Sequence, residues 1–407
     1  MEKAGLRSDF LVGGPVGATM ELKAFWLENL RKYKTLLELE RSPFFSECEN
    51  QIKQFLKTPQ SWTHPEAVPR LNSFLRVMQW NIEKGKRFDA ILNLLRTNEI
   101  LRWADVIILN ESDQGMNRSQ NRHVARDIAE SLGMNMVFGP AHIELTKGTE
   151  EELTLKGENR GILQGNAILS RFPILDASII QLPNSFEPYE FTEKRFGWRN
   201  CLWARLQLRK GTLWVGSVHL ELRNTPKCRS RQMINIMNHL PGEEQEPHLL
   251  GGDLNTSGFG RGTGWRTVQS VFRLLFTSPS AMKNQLLHPE NGKEPLFRIL
   301  NRNGFSWEGF NSNDETARTA IDFLEEADSI PPKLLNLIKK RLDPYNGYLV
   351  FKLDWLLGKN VKALTGGQKR DIQTEIASLE PDCVNGENAG PNRVSDHLPI
   401  YADLDLA

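Results

Sequence analysis

Short apolar segments that end in or enclose a polar residue recur along the chain. Five β-branched or aromatic runs carry an Asn, Glu, His or Asp, at residues 78–81, 106–111, 215–219, 249–255 and 351–357. Just before the last apolar run, Asp396 and His397 stand side by side. Because adjacent side chains on a strand point to opposite faces, these two share one site only where the backbone bends. The pattern predicts a cluster of polar side chains at one sheet edge, assembled from distant parts of the chain.

The N-terminal part of the chain has helical rather than strand periodicity. Apolar residues near helical spacing predict an amphipathic helix over residues 21–39 and a second helix over 46–56. The prolines between residues 58 and 69 predict an extended linker. The glycine-rich residues 1–20 fit no element and are expected to be disordered. We interpret residues 1–73 as a helical extension and linker, with a partner-recruiting module as the alternative to simple packing on the main domain.

The following segments predict a buried parallel sheet and then an antiparallel hairpin. A strand at 74–80, a helix at 87–95 and a very apolar strand at 106–109 imply a parallel pair of strands joined by a crossover helix. Apolar runs at 203–208 and 212–218 flank a short turn that contains glycine, which is typical of a hairpin.

The overall charge of the chain is close to zero. Lys and Arg number 51 against 50 acidic residues, so the formal net charge is +1. A strongly basic balance would favour a dedicated nucleic-acid binder, and the near-zero net charge of this chain gives no such support. A local basic stripe still acts within a Debye length of about 8–10 Å. Basic residues concentrated between 195 and 231 predict such a stripe facing phosphate, although strand alternation turns some of them to solvent.

The cysteines and the apolar runs limit the cellular setting. The four cysteines lie far apart, without the spacing of a zinc site. No apolar run approaches the ~18 residues that a membrane span needs, and the N-terminus lacks a signal-peptide core. We therefore expect a soluble, cytoplasmic protein with free thiols.

Seven short motifs follow one another in a fixed order along the chain. They are WN at 80–81, an acid after an apolar strand at 111, GNAILS at 165–170, VHL at 218–220, GDLN at 252–255, LDW at 353–355 and SDHLPI at 395–400. This order resembles the endonuclease/exonuclease/phosphatase superfamily over about residues 74–406. The resemblance implies an α/β fold in which two mixed β-sheets pack face to face between helices as a four-layer sandwich. Residues 74–407 would form the catalytic domain, with an insertion at about 256–350.

A divalent metal site is predicted from the oxygen donors of this set. Mg²⁺ takes oxygen ligands and retains waters, so one or two carboxylates and a substrate phosphate suffice to bind it. Glu111 closes an apolar run, and a buried acid there must be paired or metal-bound. We predict Glu111 as the first ligand, Asn81 beside it and Asp396 as the next, with Mg²⁺ as the metal and Mn²⁺ as the alternative.

Three motifs are predicted to supply the groups that act on water. His397 is the natural proton acceptor if an acid fixes its tautomer, and by resemblance that acid is Asp354. Asp253 and Asn255 are two residues apart and would share one face of a strand. The resemblance implies that Asp253 aligns or activates the nucleophile and that Asn255 donates to the phosphate.

Three further residues are predicted to contact the substrate. The resemblance gives His219 a functional role, and we expect it to protonate the leaving oxygen opposite His397, with Glu144 as its candidate acidic partner. By resemblance Asn166 lies near the scissile phosphate, and the alternative is a turn asparagine. Arg223 belongs to the basic stripe and is predicted to bind phosphate.

The combined prediction is a metal-dependent phosphoesterase. We expect hydrolysis of a phosphate ester, preferably a phosphodiester, by direct attack of water, with a nuclease preferred and nucleic acid as the expected partner. A hydrolase of inositol phosphates or phospholipid head groups is the first alternative. A catalytically inactive binding module is the second, and the intact set of polar residues argues against it. No obligate protein partner is predicted, and the core motifs do not encode the substrate.

Overall fold

The computed structural model of the protein describes most of the chain. The described residues are 24–148, 150–183, 194–222, 224–260, 269, 272–273, 275–320, 332–342, 348–364, 382–383 and 394–405. Residues 1–20, predicted to be disordered, and Arg223 lie outside the described residues. Where helices are described, none is both long and apolar enough to span a lipid bilayer.

Ten α-helices lie within the described residues. In chain order they are α1 (Ala24–Leu30), α2 (Leu36–Glu40), α3 (Pro43–Leu56), α4 (Phe88–Thr97), α5 (Val124–Leu132), α6 (Glu150–Leu153), α7 (Pro226–Asn238), α8 (Pro279–Leu287), α9 (Leu296–Arg302) and α10 (Pro332–Leu342). A Ser or Thr hydroxyl caps the N-terminus of α3, α7 and α8, and a proline opens each of these helices. Both features favour a helix start, because they satisfy or remove backbone N–H groups that lack a partner.

Fifteen strands lie in the described part of the chain. They are β1 (Gln60–Trp62), β2 (Phe74–Lys84), β3 (Val106–Gln114), β4 (Asn135–Glu144), β5 (Leu163–Ser170), β6 (Ile174–Gln181), β7 (Arg195–Gly197), β8 (Asn200–Gln207), β9 (Thr212–His219), β10 (His248–Asp253), β11 (Ala317–Ala320), β12 (Tyr348–Phe351), β13 (Asp354–Lys359), β14 (Asp382–Cys383) and β15 (Ile400–Asp405).

The strands form two large mixed sheets and a small one. The first sheet has the order β1-β4-β5-β3-β2-β15-β14, and β7 also pairs with β4. Within it β2 and β3 are parallel, as predicted. The second sheet has the order β13-β10-β9-β8-β6; β9 and β10 are parallel, and β8 and β9 form the predicted antiparallel hairpin. Strands β11 and β12 pair separately from both large sheets, and the insertion predicted at about residues 256–350 stays a prediction.

The core divides into layers that confirm the predicted four-layer sandwich. One apolar cluster lies between the two sheets and joins Val77 and Ile108 of the first to Val215 and Leu356 of the second. Another cluster packs α4, α5 and the N-terminal helices on the outer face of the first sheet. A third cluster packs α7 and α9 on the outer face of the second sheet. The order is therefore helices, sheet, sheet, helices.

The N-terminal segment differs from the prediction in two ways. The single helix predicted over 21–39 is wrong, because the structure has α1 and α2 with a break between them, where Thr35 accepts from the Glu38 N–H as N-cap. The predicted linker contains β1, which extends the first sheet by pairing with β4. Phe45 of α3 contacts Phe196 with ring centroids 5.1 Å apart. The boundary at residue 73 stays a prediction.

Strands β2 and β3 are longer than predicted, and both are irregular near the site. The pairing of β2 with β3 shifts register between Asn81 and Lys84, and that of β3 with β5 shifts between Leu109 and Ser112. Glu111 therefore lies inside β3 and not at its end. It has a φ of 54°, in the left-handed region that non-glycine residues rarely adopt. Such bulges redirect side chains next to functional sites.

Acidification is expected to destabilise the fold through His123. Its Nδ1 caps α5 by accepting from the Arg126 N–H, and burial, with the charge of Arg126, lowers its pKa from 6.5 to about 4. Since the folded state binds this proton less tightly, the stability is full above pH 6.5 and is lost as the pH falls towards 4. The loss should reach about 1–3 kcal/mol.

Urea unfolding of the wild type and of His123→Asn across this pH range would measure the effect. Asparagine is a good N-cap that does not titrate there. The difference in unfolding free energy between the two proteins should change as the pH falls. A constant difference would exclude His123 as the source.

Candidate active site

Three neighbouring strands of the second sheet bring an imidazole and two carboxyl groups into one row. Asp253 ends β10 and lies opposite His219, the last residue of the parallel strand β9. On its other side Asp253 lies opposite Asp354, the first residue of the antiparallel strand β13. Residues directly opposite one another across strands share a face of the sheet. The register thus places these three buried side chains at one edge.

His397 reaches this row from the first sheet, at the predicted corner before β15. Its Nδ1 lies 2.6 Å from Asp354 Oδ2, and its Nε2 lies 3.8 Å from Asp253 Oδ2. The Trp80 indole N–H donates to its carbonyl oxygen at 2.9 Å, which holds the corner against β2. Burial lowers the pKa of His397, but the charges of Asp354 and Asp253 outweigh burial and raise it well above the usual value. The prediction that Asp354 orients His397 fits this geometry.

Asp253 is the carboxyl group on which the other polar side chains converge. Its Oδ2 lies 3.1 Å from Asn81 Nδ2 and 3.4 Å from His219 Nε2. Burial raises the pKa of Asp253 to about 7, against the opposing charge of His397, and the charge of Asp354 adds to the increase. A carboxyl group with this pKa exchanges a proton near neutral pH, which suits a general acid or base.

Asn81 links Asp253 to the acid predicted to bind metal. The Asn81 Nδ2 that contacts Asp253 also lies 3.3 Å from Glu111 Oε1. Burial raises the pKa of Glu111, but the nearby charges of Lys84 and Arg199 outweigh burial and keep the pKa below its usual value. Glu111 is therefore a carboxylate at neutral pH. Three oxygen-bearing side chains from three strands meet at this point.

The side chain that contacts His219 Nδ1 is an arginine and not the predicted acid. Arg199 Nη1 lies 2.8 Å from His219 Nδ1. Glu144 instead accepts from Arg118, at 3.2 Å, so the prediction that Glu144 pairs with His219 is wrong. Burial, then the charge of Arg199, lowers the pKa of His219 well below its usual value. His219 is therefore neutral over the physiological range.

A chain of buried amides joins the two sheets behind these residues. Asn110 Oδ1 accepts from the Asp253 N–H at 2.8 Å and from Gln79 Nε2 at 3.0 Å. Gln79 Nε2 also lies 3.0 Å from Asp354 Oδ1. The Asn110 amide donates to Asn166 Oδ1 at 2.9 Å, and Asn166 donates to Asn200 Oδ1 at 2.9 Å. Amides of the first sheet thus hold the backbone of Asp253 and bind the carboxyl group of Asp354.

The amide chain accounts for both polar groups of the Asn166 side chain. Its oxygen and its nitrogen are both bound by neighbouring asparagines, and the residue is 2% exposed. It supports the site through Asn110, and its predicted position near the scissile phosphate stays a prediction. Asn110 and Gln79 were missed by the sequence analysis, although Asn110 directly precedes Glu111 in an apolar run, which was a usable signal.

Asn255 and Asp396 lie at the border of the site. Asn255 follows the end of β10 with a left-handed φ of 51°, so strand alternation does not relate it to Asp253 as predicted. Its N–H nevertheless donates to Asp253 Oδ1 at 2.9 Å, and its Nδ2 donates to the Leu220 carbonyl at 2.8 Å. Asp396 is half-buried, with Oδ1 3.3 Å from Ser395 Oγ, which itself lies 2.7 Å from the Asn81 carbonyl oxygen. Asp396 is thus held near Asn81.

The basic residues predicted as one phosphate-facing stripe are dispersed. Arg229 is fully buried, and its Nη2 lies 2.5 Å from Glu294 Oε1. Glu294 also accepts from the Gly258 N–H at 2.8 Å, so this pair holds the segment after Asn255. Arg205 pairs with Glu246. Arg199 lies beside His219, whereas Arg223, the predicted phosphate ligand, lies outside the described residues.

The donor groups fit a divalent metal. Ligand atoms of Asp253, Asp354 and His397 lie within 4.8 Å of one another. Within this group of three residues, His397 Nδ1 and Asp354 are already hydrogen-bonded to each other. The carboxylate oxygens of Glu111 and Asp253, which both contact the Asn81 amide nitrogen, better match the preference of Mg²⁺ for oxygen ligands. The metal site predicted at Asn81, Glu111 and Asp396 remains a proposal.

Comparison with protein families assigns the chain to a family. The model of the Endonuclease/Exonuclease/phosphatase family matches residues 78–397. The chain belongs to this family. The assignment made from the ordered motifs is thereby confirmed. The family consists of divalent-metal-dependent phosphoesterases, and the chain carries acidic and histidine donors for such a metal.

Several solved structures are similar to the chain at low sequence identity. A protein of this family from Leptotrichia buccalis C-1013-b is 14% identical, with a TM-score of 0.47, and the match covers 82% of this chain and 100% of that one. The catalytic domain of human Nocturnin is 16% identical, with a TM-score of 0.40 and coverage of 86% and 97%. A 3′-5′ exonuclease from Neisseria meningitidis is 13% identical, with a TM-score of 0.43 and coverage of 81% and 100%. Comparison with curated protein sequences gave no significant match.

Proposed function

We propose that the protein is a Mg²⁺-dependent phosphodiesterase that acts by direct attack of water, with nucleic acid as its preferred substrate. The observation that carries the proposal is the surroundings of Asp253 Oδ2. This atom lies 3.1 Å from Asn81 Nδ2, 3.4 Å from His219 Nε2 and 3.8 Å from His397 Nε2. A phosphoryl group and an attacking water placed among these atoms would contact both a proton acceptor and several donors.

Each residue of this chain has a distinct task in the proposed reaction. Asp253, whose pKa is about 7, orients the attacking water and accepts its proton. His397 is held by Asp354 and stabilises the phosphoryl group as charge develops on its oxygens. Glu111 and Asn81, with Asp396 as the next ligand, would hold Mg²⁺, which supplies further charge stabilisation when bound. No covalent enzyme intermediate is required.

The preference for nucleic acid is supported by positive charge next to the carboxylates. Arg199 and Lys84 lie close enough to Glu111 to lower its pKa, and Arg195 acts on His219 in the same way. Cations beside the scissile phosphate can also bind the neighbouring phosphates of a polymer. The near-zero net charge favours the alternative, a small inositol phosphate or a phospholipid head group, because such substrates need no extended basic surface.

A panel of substrates with Mg²⁺ separates these possibilities. Purified protein should hydrolyse bis-p-nitrophenyl phosphate and plasmid DNA or RNA, and it should leave inositol phosphates and sphingomyelin intact. Hydrolysis confined to the inositol or lipid substrates would replace the nuclease proposal. Failure to hydrolyse any of these esters with Mg²⁺ or Mn²⁺ would refute phosphoesterase activity.

Binding to duplex DNA is expected to weaken as salt increases, with a log–log slope of about −0.9 for each phosphate contacted. Arg195→Gln should make this slope less steep, because a cation near His219 is removed. Lys210→Gln removes an equal charge in the turn between β8 and β9, at the other end of β9 from His219. It should leave the slope unchanged. Equal slopes for all three proteins would exclude Arg195 from phosphate binding.

A further inference from the structure

Arg199 lies directly before β8 and presents its guanidinium to the site from behind His219. Its Nη1 is 2.8 Å from His219 Nδ1. Arg199 is 9% exposed and His219 4%, so this contact is shielded from water. Arg199 Nε lies 3.8 Å from Glu221 Oε2, which keeps the guanidinium near an opposite charge. Arg199 has no part in the ordered motifs from which the active site was predicted.

Hydrogen-bond chemistry determines where the ring proton of His219 lies. A guanidinium has N–H donors and no acceptor, and it does not lose its proton in proteins. The short contact is therefore a hydrogen bond only if Nδ1 carries a lone pair. In a neutral imidazole the other nitrogen then carries the proton. That nitrogen, Nε2, is the one that faces Asp253 Oδ2 at 3.4 Å.

We propose that Arg199 is a positioning residue that locks His219 in the neutral tautomer with its proton on Nε2. His219 then serves as a fixed hydrogen-bond donor to a phosphoryl oxygen and not as the acid for the leaving group. The proposal rests on the phosphoesterase function for the identity of the acceptor. The tautomer itself follows from the contact with Arg199.

The proton count excludes His219 as the leaving-group acid. A ring that acts as an acid must first carry protons on both nitrogens, and the second would sit on Nδ1, which already accepts from Arg199. If the neutral ring gave up its Nε2 proton, it would become an imidazolate. The departing oxygen therefore takes its proton from solvent water, the hydroxide that remains is neutralised by the proton that Asp253 accepted, and His219 is unchanged at the end of the cycle. This replaces the expectation that the two histidines divide into a base and an acid.

The other histidine of the site provides an internal contrast. The Nδ1 of His397 faces the carboxylate of Asp354 at 2.6 Å, and the carboxylate accepts a hydrogen bond from the ring N–H. A carboxylate behind an imidazole favours the charged ring, whereas a guanidinium opposes it. The two imidazoles on either side of Asp253 are thus made different by the side chain behind each Nδ1.

Nitrogen NMR of protein labelled with ¹⁵N only in histidine tests the tautomer without any activity measurement. The His219 signals are identified by their loss in His219→Gln. Near neutral pH, Nδ1 should have the chemical shift of an unprotonated nitrogen and Nε2 that of a protonated one. A protonated Nδ1 would overturn the proposal. This result stands even if the wild type hydrolyses none of the phosphate esters, an outcome that would count against the proposed function alone.

Variants at Arg199 test whether the lock matters for hydrolysis. Arg199→Lys keeps a cationic donor for Nδ1 and should retain the tautomer and most of the rate. Arg199→Met removes the donor, and it should mix the two tautomers and lower kcat about tenfold. If both variants lose activity equally while keeping the wild-type tautomer, Arg199 has only a structural role. Thermal unfolding of each variant shows whether it is folded.

The leaving-group dependence provides a separate readout. If His219 only donates a hydrogen bond, His219→Gln should slow hydrolysis by the same factor, about a hundredfold, for bis-p-nitrophenyl phosphate and for a dinucleotide with an alkoxide leaving group. A much smaller loss on the p-nitrophenyl ester would restore His219 as a leaving-group acid and overturn the proposal.

Discussion

Replacing Glu111 by Gln is expected to slow phosphoester hydrolysis about a thousandfold, or about 4 kcal/mol in activation free energy, while the protein stays folded. The substitution keeps the shape of the side chain and removes one negative charge from the proposed metal site. It should also raise the Mg²⁺ concentration needed for half-maximal rate, since a carboxylate ligand is lost. A Mg²⁺ titration of the rate, together with circular dichroism of both proteins, measures both effects.

Glu83→Gln provides a matched control for this variant. Glu83 follows Asn81 by two residues and also has a left-handed backbone, but its carboxylate pairs with Lys86 at 3.7 Å. The same chemical change there should leave the rate within a few-fold of the wild type. Activity that survives both EDTA and Glu111→Gln would eliminate the metal-dependent mechanism.

Removing His397 is expected to cost about a thousandfold on every phosphate ester, because its role does not depend on which group departs. Asp354→Asn should act in the same direction and by less, about a hundredfold. The ring would remain, but the carboxylate that lies 2.6 Å from its Nδ1 would be lost. Steady-state kinetics of His397→Ala and Asp354→Asn on bis-p-nitrophenyl phosphate and on a dinucleotide would measure these losses.

His239→Ala is a suitable control for the loss of an imidazole. His239 is exposed at the end of α7, and its Nδ1 contacts only the Asn235 carbonyl of the same helix in the described structure. The control should match the wild type on both esters. If Asp354→Asn left the rate unchanged, the pairing of Asp354 with His397 would have no catalytic role.

The sequence allowed the residues of the site to be chosen because each follows or interrupts an apolar strand. The ends of such strands meet at one edge of a sheet, so the sequence alone predicts that His219, Asp253 and Asp354 belong to one site. Their pairing could not be derived in this way. It depends on the register of β9, β10 and β13, and nothing local in the sequence specifies that register.

The partners of Glu144 and Asn166 could not be predicted from the sequence. Glu144 was given a role from its position on a strand and Asn166 from its motif, but the partner of a buried polar group depends on which groups lie opposite it in three dimensions. Arg118 binds Glu144, and two asparagines bind Asn166. Arg199 was counted only as one of many basic residues, because a single arginine has no sequence signal that shows it will face a histidine.

The division of the first N-terminal helix also has a local origin that periodicity does not reveal. Apolar residues continue at helical spacing across residues 21–39, yet Thr35 starts a new helix by capping it. A threonine hydroxyl competes with helix continuation, because it offers the backbone N–H another acceptor. Hydrophobic spacing alone therefore overestimated the length of the helix.

The amides of Gln79, Asn110, Asn166 and Asn200 have a consequence for how pH–rate profiles of this enzyme can be interpreted. Neutral amides do not gain or lose protons in water over the range in which carboxyl groups and imidazoles titrate. The backbone of Asp253 and the Oδ1 of Asp354 are therefore held by groups whose charge is the same in mild acid and in mild base. Provided that the protein is folded, an inflection in the rate reports the ionisation of the reacting side chains themselves and not a change of charge in these amides.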